Sequence, residues 1–371
     1  MFSNIDYFAA GSISLLAFLI LTNPRQVNVL GNRFLAILLF LIAFLILDRG
    51  LFDQGFYRNH ITLLGITDIL LPVVAPTLYL SVCYFTSIER TFDKKDLWHY
   101  FLPFLFLPSY LKFIFISPEI KLNNYDGATY LYTGMSYLLI LQLMGYWFLC
   151  YNKLQKHQKN IELFASNTDA IDLNWLKYFL WGMAAMIITL MAEFYFNNTL
   201  VFGIASLAYL IATYVLAFYA LRQNEIFAFD KQEREDIKEI IEETVHIQKQ
   251  ERFSETQLQA LKIRLLALMN ENKIHLEEDL NLPKLAQRLS ISTHDLSYLL
   301  NDGFGQSFFE FINTYRVAEA KELLLSEKHT HLNMVGIAYA AGFNSKTTFY
   351  TTFKKMTQQS PTEFQITFKK G

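Results

Sequence analysis

Residues 281–301 read NLPKLAQRLSISTHDLSYLLN, a stretch that predicts two short helices joined by a tight turn. Asn281 can cap the first helix, and Pro283 fits its first turn because the missing N–H costs nothing there. The turn falls at residues 290–292, and the second helix starts near Thr293. The predicted buried positions are Leu285, Ala286, Leu289, Leu296, Leu299 and Leu300, and the face left exposed carries His294, Ser297, Tyr298 and Asn301. A helix pair with a polar second helix has the form that enters a major groove.

The arrangement recurs about fifty residues further on. A helix begins over residues 335–339, and residues 340–343 form the turn, where Gly342 can adopt a positive φ. Ser345 can cap a second helix, whose inward positions are Phe349 and Phe353. The exposed face of that helix carries Lys346, Thr347, Tyr350, Thr351 and Lys354. Between the two pairs, residues 308–325 (FFEFINTYRVAEAKELLL) predict one amphipathic joining helix.

The C-terminal residues resemble the signature of AraC/XylS-type transcription regulators. The signature positions are Gly342-Phe343, Phe349, Phe353-Lys354-Lys355, Ser360-Pro361 and Phe364, with Phe311-Ile312, Tyr315-Arg316, Ala318, Ala320 and Leu323 in the joining helix. The resemblance covers residues 276–368, about a quarter of the chain. It implies that both second helices enter successive major grooves on one face of double-stranded DNA.

Carried over by position, the resemblance also implies which side chains contact DNA. The reader residues would be His294, Ser297 and Tyr298 in the first pair and Lys346, Thr347 and Thr351 in the second. Lys354, Lys355 and Arg316 are candidates for phosphate contacts, which position a protein without reading sequence. For Arg316, a buried pair with Glu319 or Glu363 is the alternative. Since no reader is Arg or Asn, we expect part of the specificity to come from DNA shape.

The first 221 residues differ in kind from the rest of the chain. The whole chain is 53% apolar and 18% charged, against about 25% charged in ordinary soluble domains. Seven apolar spans are predicted, at residues 5–21, 34–47, 66–88, 97–116, 130–150, 175–196 and 200–221. Five of them reach the roughly 20 residues that cross a bilayer as a helix.

The charges between these spans predict their orientation. With the N-terminus outside, the inner loops and their flanks carry nine Lys/Arg, against three in the outer loops. The positive-inside rule therefore predicts a multi-pass inner-membrane protein whose C-terminal part lies in the cytoplasm.

Four polar residues within the spans are candidates for contacting a ligand. Asp68, Lys112 and Glu193 fall in the outer third of the predicted membrane domain, and Gln142 lies deeper. They could line a pocket for a small-molecule or membrane signal. The alternative is that each snorkels to the interface or pairs with another to hold the bundle together.

The segment between the two halves is charged. Residues 223–279 hold 8 Lys/Arg against 14 Asp/Glu. One heptad frame collects Ile237, Ile240, Ile247, Leu258, Leu261, Leu265 and Leu268. This pattern favours a dimerising helix and hence a homodimer. The alternative is a solvated spacer followed by a separate amphipathic helix over residues 255–270.

We therefore predict an all-α chain with three parts: a membrane domain at residues 1–221, a helical linker at 222–275 and a DNA-binding domain at 276–371. The predicted function is a membrane-tethered transcription regulator that responds to an unknown signal. A transporter or receptor with a cytoplasmic protein-interaction tail is the alternative. No phosphate loop, zinc-protease motif or nucleophile elbow is present in the sequence, so we expect no enzyme activity, cofactor or metal.

Overall fold

The computed structural model describes residues 2–23, 25–88, 91–115, 129–196, 199–243, 252–326 and 331–369. These residues form helices, turns and one isolated β-bridge, with no β-strand among them, as the predicted all-α class requires. The chain divides into two compact units. The first contains residues 1–155 and 173–226, and the second contains residues 156–172 and 227–371.

The first unit is built from long apolar helices. Its main helices are α1 (Phe2–Leu21), α2 (Val29–Asp53), α3 (Phe56–Asn59), α4 (Leu71–Thr86), α5 (Phe101–Ile114), α6 (Thr129–Ile161), α7 (Asn174–Phe196) and α8 (Thr199–Arg222), with the end of α6 belonging to the second unit. Short 3₁₀ turns occupy Ile61–Leu63, Thr67–Leu70 and Lys94–Tyr100. Each predicted span overlaps one of the longer helices.

Two stretches of the described residues are long and apolar enough to cross a membrane, Val29–Asp53 and Ile61–Thr86. Ile5–Leu21 and Leu210–Arg222 are shorter apolar helices. Large apolar side chains also face outward from this unit, with Phe8 71%, Phe104 72% and Phe115 82% exposed. The seven-span bundle and its orientation stay predictions.

The four polar residues predicted for a ligand site have different environments. Gln142 is buried, and its Nε2 donates to the Pro72 carbonyl at 3.0 Å, which ties α6 to α4. Asp68 is half-buried in a 3₁₀ turn, and Lys112 is exposed on α5. The side chain of Glu193 lies outside the described residues. Among the other three, no hydrogen bond or ion pair of the described structure joins one to another, so the ligand site stays a prediction.

The second unit contains the remaining helices. They are α9 (Lys231–Glu243), α10 (Glu255–Asn270), α11 (Leu282–Leu289), α12 (Thr293–Tyr298), α13 (Phe308–Leu325), α14 (Met334–Ala340), α15 (Lys346–Thr357) and α16 (Pro361–Lys369). A 3₁₀ turn at Ile274–Leu276 precedes α11, and a π-helical turn at Leu299–Gly303 follows α12.

The charged linker is not one continuous helix. Helix α10 begins at its own capping box, in which the Ser254 side chain accepts from the Gln257 amide and the Gln257 side chain accepts from the Ser254 amide. A separate helix therefore occupies residues 255–270, as the alternative predicted. The solvated spacer of that alternative is not observed, because Ile237 and Ile240 are buried. Four residues of the heptad frame, Ile237, Ile240, Leu261 and Leu265, are buried within this chain. A dimer interface through these residues stays a prediction. It would require them to leave their buried positions within the chain and pack against a second copy.

Candidate nucleic-acid interface

The first helix pair is defined by the caps that the sequence predicts. The Asn281 side chain accepts the Lys284 amide at 3.0 Å and starts α11, which ends where Ser290 adopts a φ of 56°. Ser292 then caps α12 by accepting the Asp295 amide at 3.1 Å. All six predicted inward residues, Leu285, Ala286, Leu289, Leu296, Leu299 and Leu300, are buried. The turn is tight because the left-handed conformation of Ser290 ends α11 and Ser292 already caps α12.

The second helix pair repeats this construction. Helix α14 ends at Ala340, and the chain turns at Gly342 with a φ of +84°. The Ser345 side chain accepts the Thr348 amide at 3.0 Å and caps α15. Phe349 and Phe353 are fully buried, in a core shared with α13, α14 and α16. The predicted inward residues of this pair are confirmed.

Helix α13 joins the two pairs and has the predicted bounds, Phe308–Leu325. A capping box between Ser307 and Glu310 fixes its start. Its Arg316 is completely buried, where Nε donates to the His275 carbonyl at 2.7 Å and a terminal nitrogen donates to the Glu277 carbonyl at 2.8 Å. Burial lowers the pKa of Arg316 to about 9. Arg316 thus fastens α13 to the turn before α11, and in this conformation its side chain is buried rather than exposed at the surface.

The polar face of α15 is open to solvent. The five residues predicted to contact DNA there are all exposed: Lys346, Thr347, Thr351, Lys354 and Lys355. The ammonium group of Lys346 lies 5.4 Å from the centre of the Tyr350 ring. Lys355 lies 3.5 Å from Glu162. The face combines hydroxyl groups that can bond base edges with ammonium groups that can contact phosphates.

The corresponding face of α12 is covered. The side chain of His294 is only 14% exposed, and its Nε2 lies 3.2 Å from a carboxylate oxygen of Glu239. Ser297 is buried and accepts from the Asn301 side chain at 3.3 Å. The Tyr298 ring meets the Phe253 ring edge-on, with centroids 5.8 Å apart. The sequence predicted an exposed face at these residues, whereas the preceding segment covers it.

A segment far upstream also belongs to this unit. Phe164 is buried, its carbonyl accepts the Leu282 amide at 2.9 Å, and Ala165 forms a β-bridge with Asn281. Ser166 donates to the Leu280 carbonyl at 2.6 Å, and its own carbonyl accepts from buried Asn313 at 3.0 Å.

The same segment reaches the starts of the later helices. The Phe309 amide donates to the Glu162 carbonyl at 3.0 Å, next to the capping box of α13. Asp169 accepts from the hydroxyl of Ser345, the residue that caps α15. The sequence analysis missed this segment, since residues 162–172 lie beyond the end of α6 and most of the hydrogen bonds that residues 156–172 make involve backbone groups. The acidic composition of residues 231–243 was the one signal that pointed toward the cover on α12.

Comparison with known proteins identifies this part of the chain. A family model described as a helix-turn-helix domain matches residues 285–366, from within α11 into α16. The C-terminal segment is a helix-turn-helix domain. Similar proteins are uncharacterized HTH-type transcriptional regulators of Staphylococcus aureus strains COL, MSSA476 and MRSA252, each 33% identical over 93 residues. That match covers 25% of this chain and 12% of each relative. No solved structure gave a significant match.

Proposed function

We propose that the chain is a membrane-tethered transcription regulator that binds specific sites in double-stranded DNA through two helix-turn-helix units of AraC type. The observation that carries the proposal is the pair of capped second helices held by α13 in one unit, with the polar face of α15 exposed. Two such helices on one rigid support can read two segments of the same duplex.

The side chains divide into two roles. Lys346, Thr347 and Thr351 read bases through α15, while Lys354 and Lys355 contact phosphates. His294, Ser297 and Tyr298 read bases through α12 once that helix is uncovered. Arg316 has no DNA contact in this proposal, since its guanidinium group is already bound to backbone carbonyls.

Membrane tethering is supported by the first unit. It contains two stretches of spanning length and bears exposed Phe side chains, a surface that lipid covers at lower cost than water. Signal sensing is supported by chain connectivity, since residues 156–172 comprise the end of α6 and the segment that leads into α7, and they belong to the same unit as the helix-turn-helix pairs. A rearrangement of those two helices would therefore act directly on the DNA-binding unit.

The test is a selection from random duplex DNA by the full-length chain in lipid nanodiscs, at one stated salt concentration. We expect one enriched motif, which Thr347→Ala abolishes because the variant loses a hydroxyl group on the reading face. Thr367→Ala is the matched control, because Thr367 is also an exposed helical threonine, but on α16. Lys354→Ala should weaken binding to all sequences and reduce the salt slope by about 1.

Absence of any motif, or equal loss in both threonine variants, would contradict the proposal. Salt-sensitive binding without sequence preference would leave a general DNA-binding protein. No DNA binding at all would favour the alternative of a membrane protein with a protein-interaction tail.

A further inference from the structure

The surface of α12 that we assign to DNA is occupied by α9. Helix α9 carries six Asp/Glu against three Lys/Arg, so its net charge is negative. It packs against α12, and Ile237 and Ile240 form its buried face. A mostly acidic helix fixed by two apolar residues thus lies on a helix of the DNA-binding domain.

The carboxylates of α9 meet the reader histidine. Glu239 lies 3.2 Å from Nε2 of His294, and Glu243 lies 3.8 Å from Nδ1. The two acidic side chains remain 68% and 58% exposed, whereas the imidazole beneath them is 14% exposed. An imidazole must be accessible to form a hydrogen bond with a base edge, and here α9 covers the imidazole of His294.

A second contact covers the other end of the reading face. The Phe253 ring packs edge-on against Tyr298. The neighbouring Arg252 donates to both carboxylate oxygens of Glu243, at 2.9 and 3.2 Å, and so fastens Phe253 to the last turn of α9. The cover therefore has an acidic part over His294 and an aromatic part over Tyr298.

This cover and a DNA duplex are mutually exclusive partners. A DNA backbone carries a dense negative charge, and the carboxylates of α9 present charge of the same sign where the duplex would approach. Helix α15 carries no such cover, because its five predicted contact residues are exposed. The second helix-turn-helix unit is therefore accessible to DNA through α15, whereas the α12 face of the first unit is blocked.

We propose that α9 is an autoinhibitory helix that competes with DNA for α12, so that the covered chain reads DNA through α15 alone. The proposal rests on the proposed function and adds its regulation. Only residues 223–230 separate α8 from α9, so a movement at the end of α8 would be transmitted to the cover. Release of α9 would add the second half-site.

The test compares full-length chains in nanodiscs. The first variant, Glu239→Gln/Glu243→Gln, removes the carboxylates over His294. The second, Ile237→Ser/Ile240→Ser, removes the apolar anchor of α9. The control is Glu235→Gln/Glu242→Gln, which takes the same charge from exposed positions of the same helix that have no contact with His294.

Three quantities are measured: DNA affinity, the length of the hydroxyl-radical footprint, and the modification of His294 by diethyl pyrocarbonate, with exposed His331 as the reference. The DNA is the fragment that the Glu239→Gln/Glu243→Gln chain selects. We expect both α9 variants to bind it about tenfold more tightly than the wild type, to extend the footprint by about ten base pairs and to expose His294. The control should behave as the wild type.

Each adverse outcome has its own signature. If His294 of the wild type reacts as fast as His331, α9 does not cover it. If His294 stays protected in Ile237→Ser/Ile240→Ser, α9 is not what protects it. Either result overturns the proposal that α9 covers α12. Equal affinities and footprints in all chains that bind DNA overturn the competition while leaving the proposed function intact. If no chain binds DNA although His294 becomes exposed in the variants, the proposed function fails and the inhibition of DNA binding fails with it.

Discussion

Gly342 shows how one residue sets the geometry of the turn before α15. It lies between α14 and α15 with a φ of +84°, and a Cβ there would stand 2.6 Å from the His275 carbonyl oxygen and 2.8 Å from the Leu276 Cα. Both neighbours are backbone atoms, so neither can turn away as a side chain would. The glycine is required both by its own backbone conformation and by this close approach.

We therefore predict that Gly342→Ala destabilises the C-terminal unit far more than Gly305→Ala. Gly305 also has a positive φ, but nothing lies within 4 Å of the place that a methyl group would take there, so that substitution should cost only about 1–2 kcal/mol. Gly342→Ala should cost at least about 2 kcal/mol more, because the backbone must move. Pulse proteolysis of the full chain in urea measures both losses, and equal losses would contradict the prediction.

Arg316 has hydrogen-bond partners that its sequence context did not predict. The sequence offered a phosphate contact or a pair with Glu319 or Glu363, and the structure instead gives two backbone carbonyls as hydrogen-bond acceptors. A buried charge needs such partners. Because every residue has a backbone carbonyl, the sequence does not indicate which carbonyls will accept these hydrogen bonds. Glu319 pairs with Lys273 at 2.9 Å.

Among the elements, the helices were predictable and the segment at residues 156–172 was not. Helix α13 has the predicted bounds, and α12 starts at the predicted residue, since caps and apolar spacing are local signals. The packing of residues 162–166 against α11 and α13 depends on hydrogen bonds that involve backbone groups of residues more than a hundred positions apart.

His157 gives this upstream segment a predicted pH dependence. Its ring is buried, Nε2 lies 2.8 Å from the Ile171 carbonyl, and burial lowers its pKa to about 4 from 6.5. Between those two pH values the unfolded segment takes up a proton that the folded one does not, so stability falls as the pH drops from 6.5 toward 4. The full loss amounts to about 3 kcal/mol.

Hydrogen exchange of the segment's amides across this pH range, corrected for the intrinsic rate, measures the effect. The variant His157→Gln keeps an N–H donor for the Ile171 carbonyl but does not titrate, so its protection should lose this pH dependence. Identical pH profiles in wild type and variant would assign the acid sensitivity to another group.

At the scale of the whole molecule, the two units have different surfaces. The first exposes large apolar side chains, whereas the second exposes lysines and threonines on α15. We predict that the chain stays in the membrane pellet after alkaline carbonate extraction, since helix α2 alone has 25 residues and the hydrocarbon core needs about 20.

The same membranes test the predicted orientation. Protease should remove the C-terminal unit from inside-out vesicles and leave it intact in right-side-out vesicles, with a cytoplasmic protein as the control for leakage. Release of the chain by carbonate would contradict a membrane-spanning domain, and the opposite cleavage pattern would reverse the orientation.

The sequence by itself determined the helices of the C-terminal helix-turn-helix domain, their caps and their inward residues, because these depend on neighbours within a few positions along the chain. Tertiary structure decided what those helices contact. It buried Arg316, placed residues 156–172 in the C-terminal unit and put Glu239 over His294, since each of these contacts joins residues tens to more than a hundred positions apart. Periodicity shows that a helix face is polar, but only the folded chain shows whether water, DNA or another helix lies against it.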